Sequence, residues 1–140
     1  MNERGFTFSE VVIALAVLSI LLLVVGRGVF HLSEKTLTNS FIHQLKSDIS
    51  YAQARAMDQH EFVWVTFDVL NDRYSIYSPT FRIDRKLPNY AEITFSNLAH
   101  LKFNQYGNSS HSGTIHFTCF ETKYKLVVLL GMGRFYVEQL

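Results

Sequence analysis

Apolar and polar positions divide the chain into three stretches. From Val11 to Val25 the only polar side chain is Ser19, and extending the run to 6–26 adds only Thr7, Ser9 and Glu10. A helix over 6–26, at roughly 1.5 Å per residue, is about 30 Å long, the depth of a bilayer's hydrocarbon core. A helix apolar on every side suits lipid or the inside of an assembly better than the surface of a small soluble domain. Between Ser33 and His60 the pattern turns amphipathic. Leu37, Phe41, Leu45, Ile49, Ala52 and Ala56 recur at spacings of three and four, with Ile42 widening the stripe. Glu34, Lys35, Gln44, Lys46, Asp48, Gln53 and Arg55 lie mainly off it. The two stretches predict one long helix, 6–60. Gly26 and Gly28 are its weak points, and Ser33 can cap a restart.

From residue 61 the period changes to two. Phe62 to Phe67 is rich in β-formers, Leu70 to Arg73 reads as a turn, and Tyr74 to Tyr77 closes a hairpin. Further strands are expected at 91–96, 98–103, 114–120, 123–130 and 134–137, with loops at 107–113 and 131–133. In 114–120 the alternation puts Ile115, Phe117 and Cys119 on one face. The expected class is α+β: a long N-terminal helix packed on an antiparallel β-sheet head over 61–140, drawn as a meander.

The first ten residues add chemistry to the first stretch. Met1-Asn2-Glu3-Arg4-Gly5 is short and polar, and Phe6-Thr7-Phe8-Ser9-Glu10 leads directly into the apolar run. No A-x-A-like site follows that run, as a secretory signal peptide would require. The charges flanking it, Glu3 and Arg4 before and Arg27 and Lys35 after, do not orient a plain anchor. The pattern resembles the N-terminal signal of type IV prepilins and pseudopilins. The resemblance implies a leader of residues 1–5, cleavage between Gly5 and Phe6 by a prepilin peptidase, and N-methylation of Phe6. It also implies a membrane-anchored chain that later joins other pilins in an envelope filament. Many major pilins carry a proline within this helix, and here none precedes Pro79.

Glu10 is the one acid within the apolar run. A carboxylate there costs about 2.5–3.5 kcal/mol on insertion scales unless it finds a partner. Cleavage after Gly5 would create an ammonium at Phe6, and a neighbouring subunit's ammonium could pair with Glu10 in a low dielectric. The simpler role, an acid favoured by the helix dipole, is worth about 0.3–1 kcal/mol.

Later motifs refine the resemblance. Ser50 to Met57, Leu101-Lys102-Phe103, Gly113-Thr114-Ile115, Tyr124 to Val128 and Gly131-Met132-Gly133-Arg134 look like the minor pseudopilins of the GspH and FimT kind. Size and the Gly-x-Gly-Arg ending suggest the competence pseudopilins of Gram-positive bacteria. The implied function is assembly of a filament used for DNA uptake, with a secretion-system pseudopilin or a DNA-binding tip subunit as alternatives.

Composition adds little. Net charge is +1, so there is no global attraction to nucleic acid. Arg82, Arg85 and Lys86 form a small basic cluster interrupted by Asp84, and Arg134 follows the Gly-x-Gly turn. These are candidate DNA contacts, although phosphate binding wants more clustered cations and a solvated edge explains them more simply. No catalytic set, phosphate loop or cofactor motif is present. His111, His116 and Cys119 are the nearest approach to a metal set. Alternation points His116 and Cys119 to opposite faces, so no metal site is expected. With one cysteine there is no internal disulfide.

Overall fold

The computed structural model describes residues 7–98 and 100–140, with only the backbone for 23–32. The chain divides into two compact units, Met1–Leu37 and Thr38–Leu140. Helix α1, Phe8–Asp58, supplies the described part of the first unit and opens the second. Its helical backbone runs on through Gly26, Gly28 and Ser33, so Ser33 caps no restart. A lone glycine costs about 1 kcal/mol against alanine, too little to end a helix whose flanks both favour it.

In the first unit, the apolar side chains from Phe8 to Leu22 are exposed. Ser19, the polar exception, turns its hydroxyl back to the Leu15 carbonyl at 2.8 Å. This is how a hydroxyl is satisfied without water. Among the described residues no helix is long and apolar enough to cross a membrane. The run read at 6–26 extends past them, to residue 6 and to side chains from 23 on.

The second unit holds the core. Phe41, Leu45, Ile49, Ala52 and Ala56 are buried, as the stripe predicts, and Ile42 packs at its margin. Leu37 departs from it: it is 41% exposed and stands at the end of the other unit. Eight strands follow. They are β1 Val63–Asp68, β2 Arg73–Tyr77, β3 Arg82–Lys86, β4 Ala91–Ser96, β5 His100–Phe103, β6 Gly113–Cys119, β7 Thr122–Val128 and β8 Phe135–Gln139. The class is α+β, and the antiparallel head divides into two four-stranded sheets rather than one meander. Sheet A has the order β3-β2-β1-β5 and sheet B the order β4-β6-β7-β8. Strands β4 and β5, adjacent in sequence, belong to different sheets.

Alternation along each strand fills the core from both sheets. Val63 and Val65, Tyr74 and Ile76, and Leu101 and Phe103 point inward from sheet A. Ile93, then Ile115, Phe117 and Cys119, then Leu126 and Val128 do so from sheet B. The apolar run 126–130 is a buried strand only to Val128; Leu129 and Leu130 are exposed in the following turn. A small apolar void of about 10 Å³, lined by residues including Phe41, Tyr74 and Phe117, is far below the size of a substrate pocket.

Candidate functional site

Gly5 and Phe6 lie outside the described residues. Glu10 falls in the first turn of α1, where its Oε2 accepts from the Thr7 N–H and from the Thr7 hydroxyl, both at 2.8 Å. The Glu10 N–H in turn faces the Thr7 hydroxyl at 3.4 Å. This is a capping box, the Thr-x-x-Glu arrangement that satisfies orphan donors at a helix start. Neither insertion cost nor the helix dipole includes this role. The signal was present in Thr7-Phe8-Ser9-Glu10 itself.

The four candidate DNA contacts do not form one surface. β3 alternates, so Arg82 and Lys86 share a face with Asp84, while Arg85 points the other way. Arg82 Nε lies 2.9 Å from Asp84 Oδ2. That contact and the Ser75 hydroxyl hold the Asp84 carboxyl below its ordinary range. Arg85 Nε reaches 3.2 Å to Asp48 Oδ2 on the helix. Arg134 belongs to the turn before β8, in the other sheet, and its guanidinium donates to Met132 Sδ at 3.4 Å. Of the β3 cluster, Lys86 alone has no carboxylate partner among the described residues.

Asp48, one of the helix residues mainly off the apolar stripe, is the centre of a buried polar cluster. It is 7% exposed. Its Oδ2 accepts from the Tyr74 hydroxyl at 2.7 Å as well as from Arg85, and its Oδ1 accepts from Gln44 Nε2 at 3.1 Å. Burial and the adjacent carboxylate push the Tyr74 phenol well above its ordinary pKa. Two further helix residues tie down loops. Gln53 Nε2 donates to the carbonyls of Gly107 at 2.8 Å and Met132 at 3.2 Å. Arg55 meets Thr80 at 3.2 Å and stacks over Phe81 at 4.1 Å.

A second arrangement on sheet A also went unread. Register places Lys102 opposite Trp64, Trp64 opposite Tyr77, and Tyr77 opposite Arg82. These four side chains make one row across the outward face. Lys102 Nζ sits 4.0 Å over the Phe62 ring and 5.4 Å over Trp64, and the Trp64 and Tyr77 rings lie 5.6 Å apart at 11°. An aromatic strip with Lys102 at one end, and at the other an arginine already paired with Asp84, suits stacking against planar or sugar groups of an anionic polymer. The outward position of Trp64 was legible from the alternation in Val63-Trp64-Val65.

Among the described residues, no group of three or more His, Cys, Asp or Glu is placed to hold a metal. His116 packs its ring against Phe95 while Cys119 is buried on the other face. Burial alone pushes the Cys119 thiol up to about 11. A thiol held protonated in this way is a poor nucleophile.

Residues 1–26 match the prokaryotic N-terminal methylation motif. Over 139 residues, 99% of this chain and 95% of the relative, the sequence is 28% identical to the competence protein ComGD of Bacillus subtilis. The fold resembles the crystal structure of the type IV minor pilin FimU of Pseudomonas aeruginosa. That match has a TM-score of 0.58 and 18% identity, over 75% of this chain and 90% of that one.

Proposed function

We propose that this chain, a minor pseudopilin of the type IV pilin kind, serves a competence filament and is needed to assemble the apparatus that takes up DNA. One observation carries the reading: the methylation motif over residues 1–26 precedes a pilin-type head, in a chain similar to ComGD over nearly its full length. In this reading residues 1–5 are a leader, and a prepilin peptidase cuts between Gly5 and Phe6 and methylates Phe6. The apolar helix holds the protein in the cell membrane as a single pass until other pilins take it into a filament at the cell surface. The exposed apolar side chains from Phe8 to Leu22 are then covered first by lipid and afterwards by neighbouring helices.

Glu10 has a role in each state. As the third residue of the capping box it fixes the helix start. In the filament its carboxylate pairs with the ammonium at Phe6 of a neighbour, which offsets the cost of a buried charge. Glu10→Gln separates the two roles, because glutamine also completes a capping box but carries no charge. The expected result is normal cleavage and N-methylation, read by mass analysis of the mature N-terminus, with filament assembly and transformation lost. A mature chain still beginning at Met1 in cells with an active peptidase, or full assembly by the Gln variant, would refute the reading.

Direct contact of the head with DNA is a second reading. Its support is the row Lys102–Trp64–Tyr77 rather than the β3 cluster, whose arginines, Arg82 at the end of that row included, face carboxylates. It predicts salt-sensitive DNA affinity that Lys102→Ala and Trp64→Ala lower and Arg85→Ala leaves unchanged.

A further inference from the structure

The outer edge of sheet B has one charge on its strand, Glu138, as its guard. Among the described residues β8 is bonded to β7 and to no other strand. The Arg134 carbonyl accepts from the Leu129 N–H at 2.9 Å, and the Leu140 N–H donates to the Lys123 carbonyl at 2.9 Å. Even-numbered residues therefore turn their backbone groups toward β7. Because those groups alternate along a strand, Phe135, Val137 and Gln139 turn theirs outward. Edge strands are usually protected by lysine, proline or a bulge. The strand Phe135-Tyr136-Val137-Glu138-Gln139 has no lysine or proline, and its pairing with β7 is unbroken. At its start lies an apolar turn with Leu130 68% and Met132 69% exposed. Leu129, Leu130, Met132 and Arg134 line a shallow depression of about 230 Å³ there.

We propose that β8 is a strand-addition interface that pairs antiparallel with β8 of a second copy of this chain, about a two-fold axis through Tyr136. Charge complementarity within the one strand selects this occupant. In that register Arg134 of each copy stands opposite Glu138 of the other, and Phe135 opposite Val137. The outward groups of Phe135 and Val137 are the ones that bond, so each of these pairs exchanges two backbone hydrogen bonds. Arg134 has no carboxylate partner among the described residues. Glu138 holds Lys125 at 3.1 Å but is half exposed, and a carboxylate has lone pairs for a second cation. The exposed Leu140 of one copy comes beside the exposed Met132 of the other. Moving the axis to Val137 sets Tyr136 against Glu138 and Arg134 against Leu140; moving it to Phe135 sets Arg134 against Tyr136. Both alternatives lose the charge match.

The pairing places two Tyr136 residues at a non-hydrogen-bonded position, where Cα atoms stand about 4.5 Å apart, within reach of a disulfide. The full-length chain in detergent is therefore tested as Tyr136→Cys under mild oxidation, on non-reducing gels. Wild type controls for the buried Cys119, and Tyr106→Cys, on an exposed loop, controls for random collision. Tyr136→Cys should dimerise while both controls stay monomeric. Adding Arg134→Glu should slow that crosslink roughly tenfold, since two attractive pairs become repulsive. Adding Glu138→Arg as well should restore it. Crosslinking of Tyr136→Cys no faster than Tyr106→Cys, or indifference to the charge reversal, overturns the proposal. Neither result bears on N-terminal processing.

Discussion

The buried carboxylate Asp48 invites a quantitative test. Its three donors come from different parts of the fold: Gln44 from the helix, Tyr74 from β2 and Arg85 from β3. Tyr74→Phe removes one hydrogen bond to a charged acceptor, worth about 1.5–3 kcal/mol net. Asp48 keeps its other two donors, so the expected loss is at the low end, about 1.5 kcal/mol. Asp48→Ala leaves the Tyr74 hydroxyl without its acceptor at a position 2% exposed and should cost about 2–3 kcal/mol. Arg85→Ala should cost no more than about 1 kcal/mol, because its side chain is 46% exposed and well screened. Once Asp48 is alanine the buried phenol is an orphan donor, so adding Tyr74→Phe should cost nothing further and recover part of that penalty. That corresponds to a coupling of at least about 1.5 kcal/mol. Urea unfolding of the unit 38–140, followed through the single tryptophan Trp64, measures all four species. In a domain of about 100 residues, 1.5 kcal/mol also appears as roughly 6–12 °C in Tm. Additivity within about 0.3 kcal/mol would refute the reasoning and leave Tyr74 a bystander to Asp48.

Other consequences follow from particular positions. Tyr74 and Cys119 have raised pKa values in the fold, the thiol to about 11. Raised groups stabilise below their unfolded values, near 8.5 for Cys and 10 for Tyr, and that contribution is lost as pH rises through the folded values. Stability should therefore fall between about pH 9 and 11, and Cys119→Ala should flatten the first part of the decline in a pH-urea series. Gly107 has φ +72°, and an added Cβ would lie 2.8 Å from Met57 Sδ, whereas Gly131, at φ +92°, opens on empty space. Gly107→Ala should accordingly cost more than Gly131→Ala, about 2–3 against about 1 kcal/mol by thermal unfolding. Thr7→Ala should weaken the helix start by about 1 kcal/mol yet leave filament assembly intact, in contrast to Glu10→Gln; loss of assembly in Thr7→Ala would mean the cap itself is what assembly needs.

Periodicity made the helix and most of the strands legible, because both report burial directly. Phe41, Leu45, Ile49, Ala52 and Ala56 must be apolar to face two sheets, and they are buried as spaced. β3 was not legible as a strand. Arg82-Ile83-Asp84-Arg85-Lys86 has one apolar side chain and poor β-propensity. It forms because β2 supplies a full ladder, from Arg73↔Lys86 to Tyr77↔Arg82. The division into two sheets was hidden for a related reason. β5 pairs with β1 and β4 with β6, and nothing local in either strand specifies a partner so far along the chain.

The same pairing rules explain why the basic cluster misled. Neighbours in a strand point to opposite faces, so Arg85 was bound to leave Arg82 and Lys86 once that segment became extended. On the face of β3 turned to the helix, the half-exposed Arg85 guanidinium finds an anion in Asp48. The Asp48 carboxylate, off the apolar stripe of the helix, is buried where the Tyr74 hydroxyl and Arg85 meet it. Conversely, cross-strand register gathers Lys102, Trp64, Tyr77 and Arg82 from four strands into one row, although they are far apart in sequence. A surface made of β-strands is thus read across the ladder, not along the chain. For this head that moves the search for a polymer contact from the β3 cluster to the aromatic row. The N-terminal segment is different in kind: the roles proposed for Gly5, Phe6 and Glu10 rest on residues nearly consecutive in the sequence, so that proposal draws on no long-range pairing.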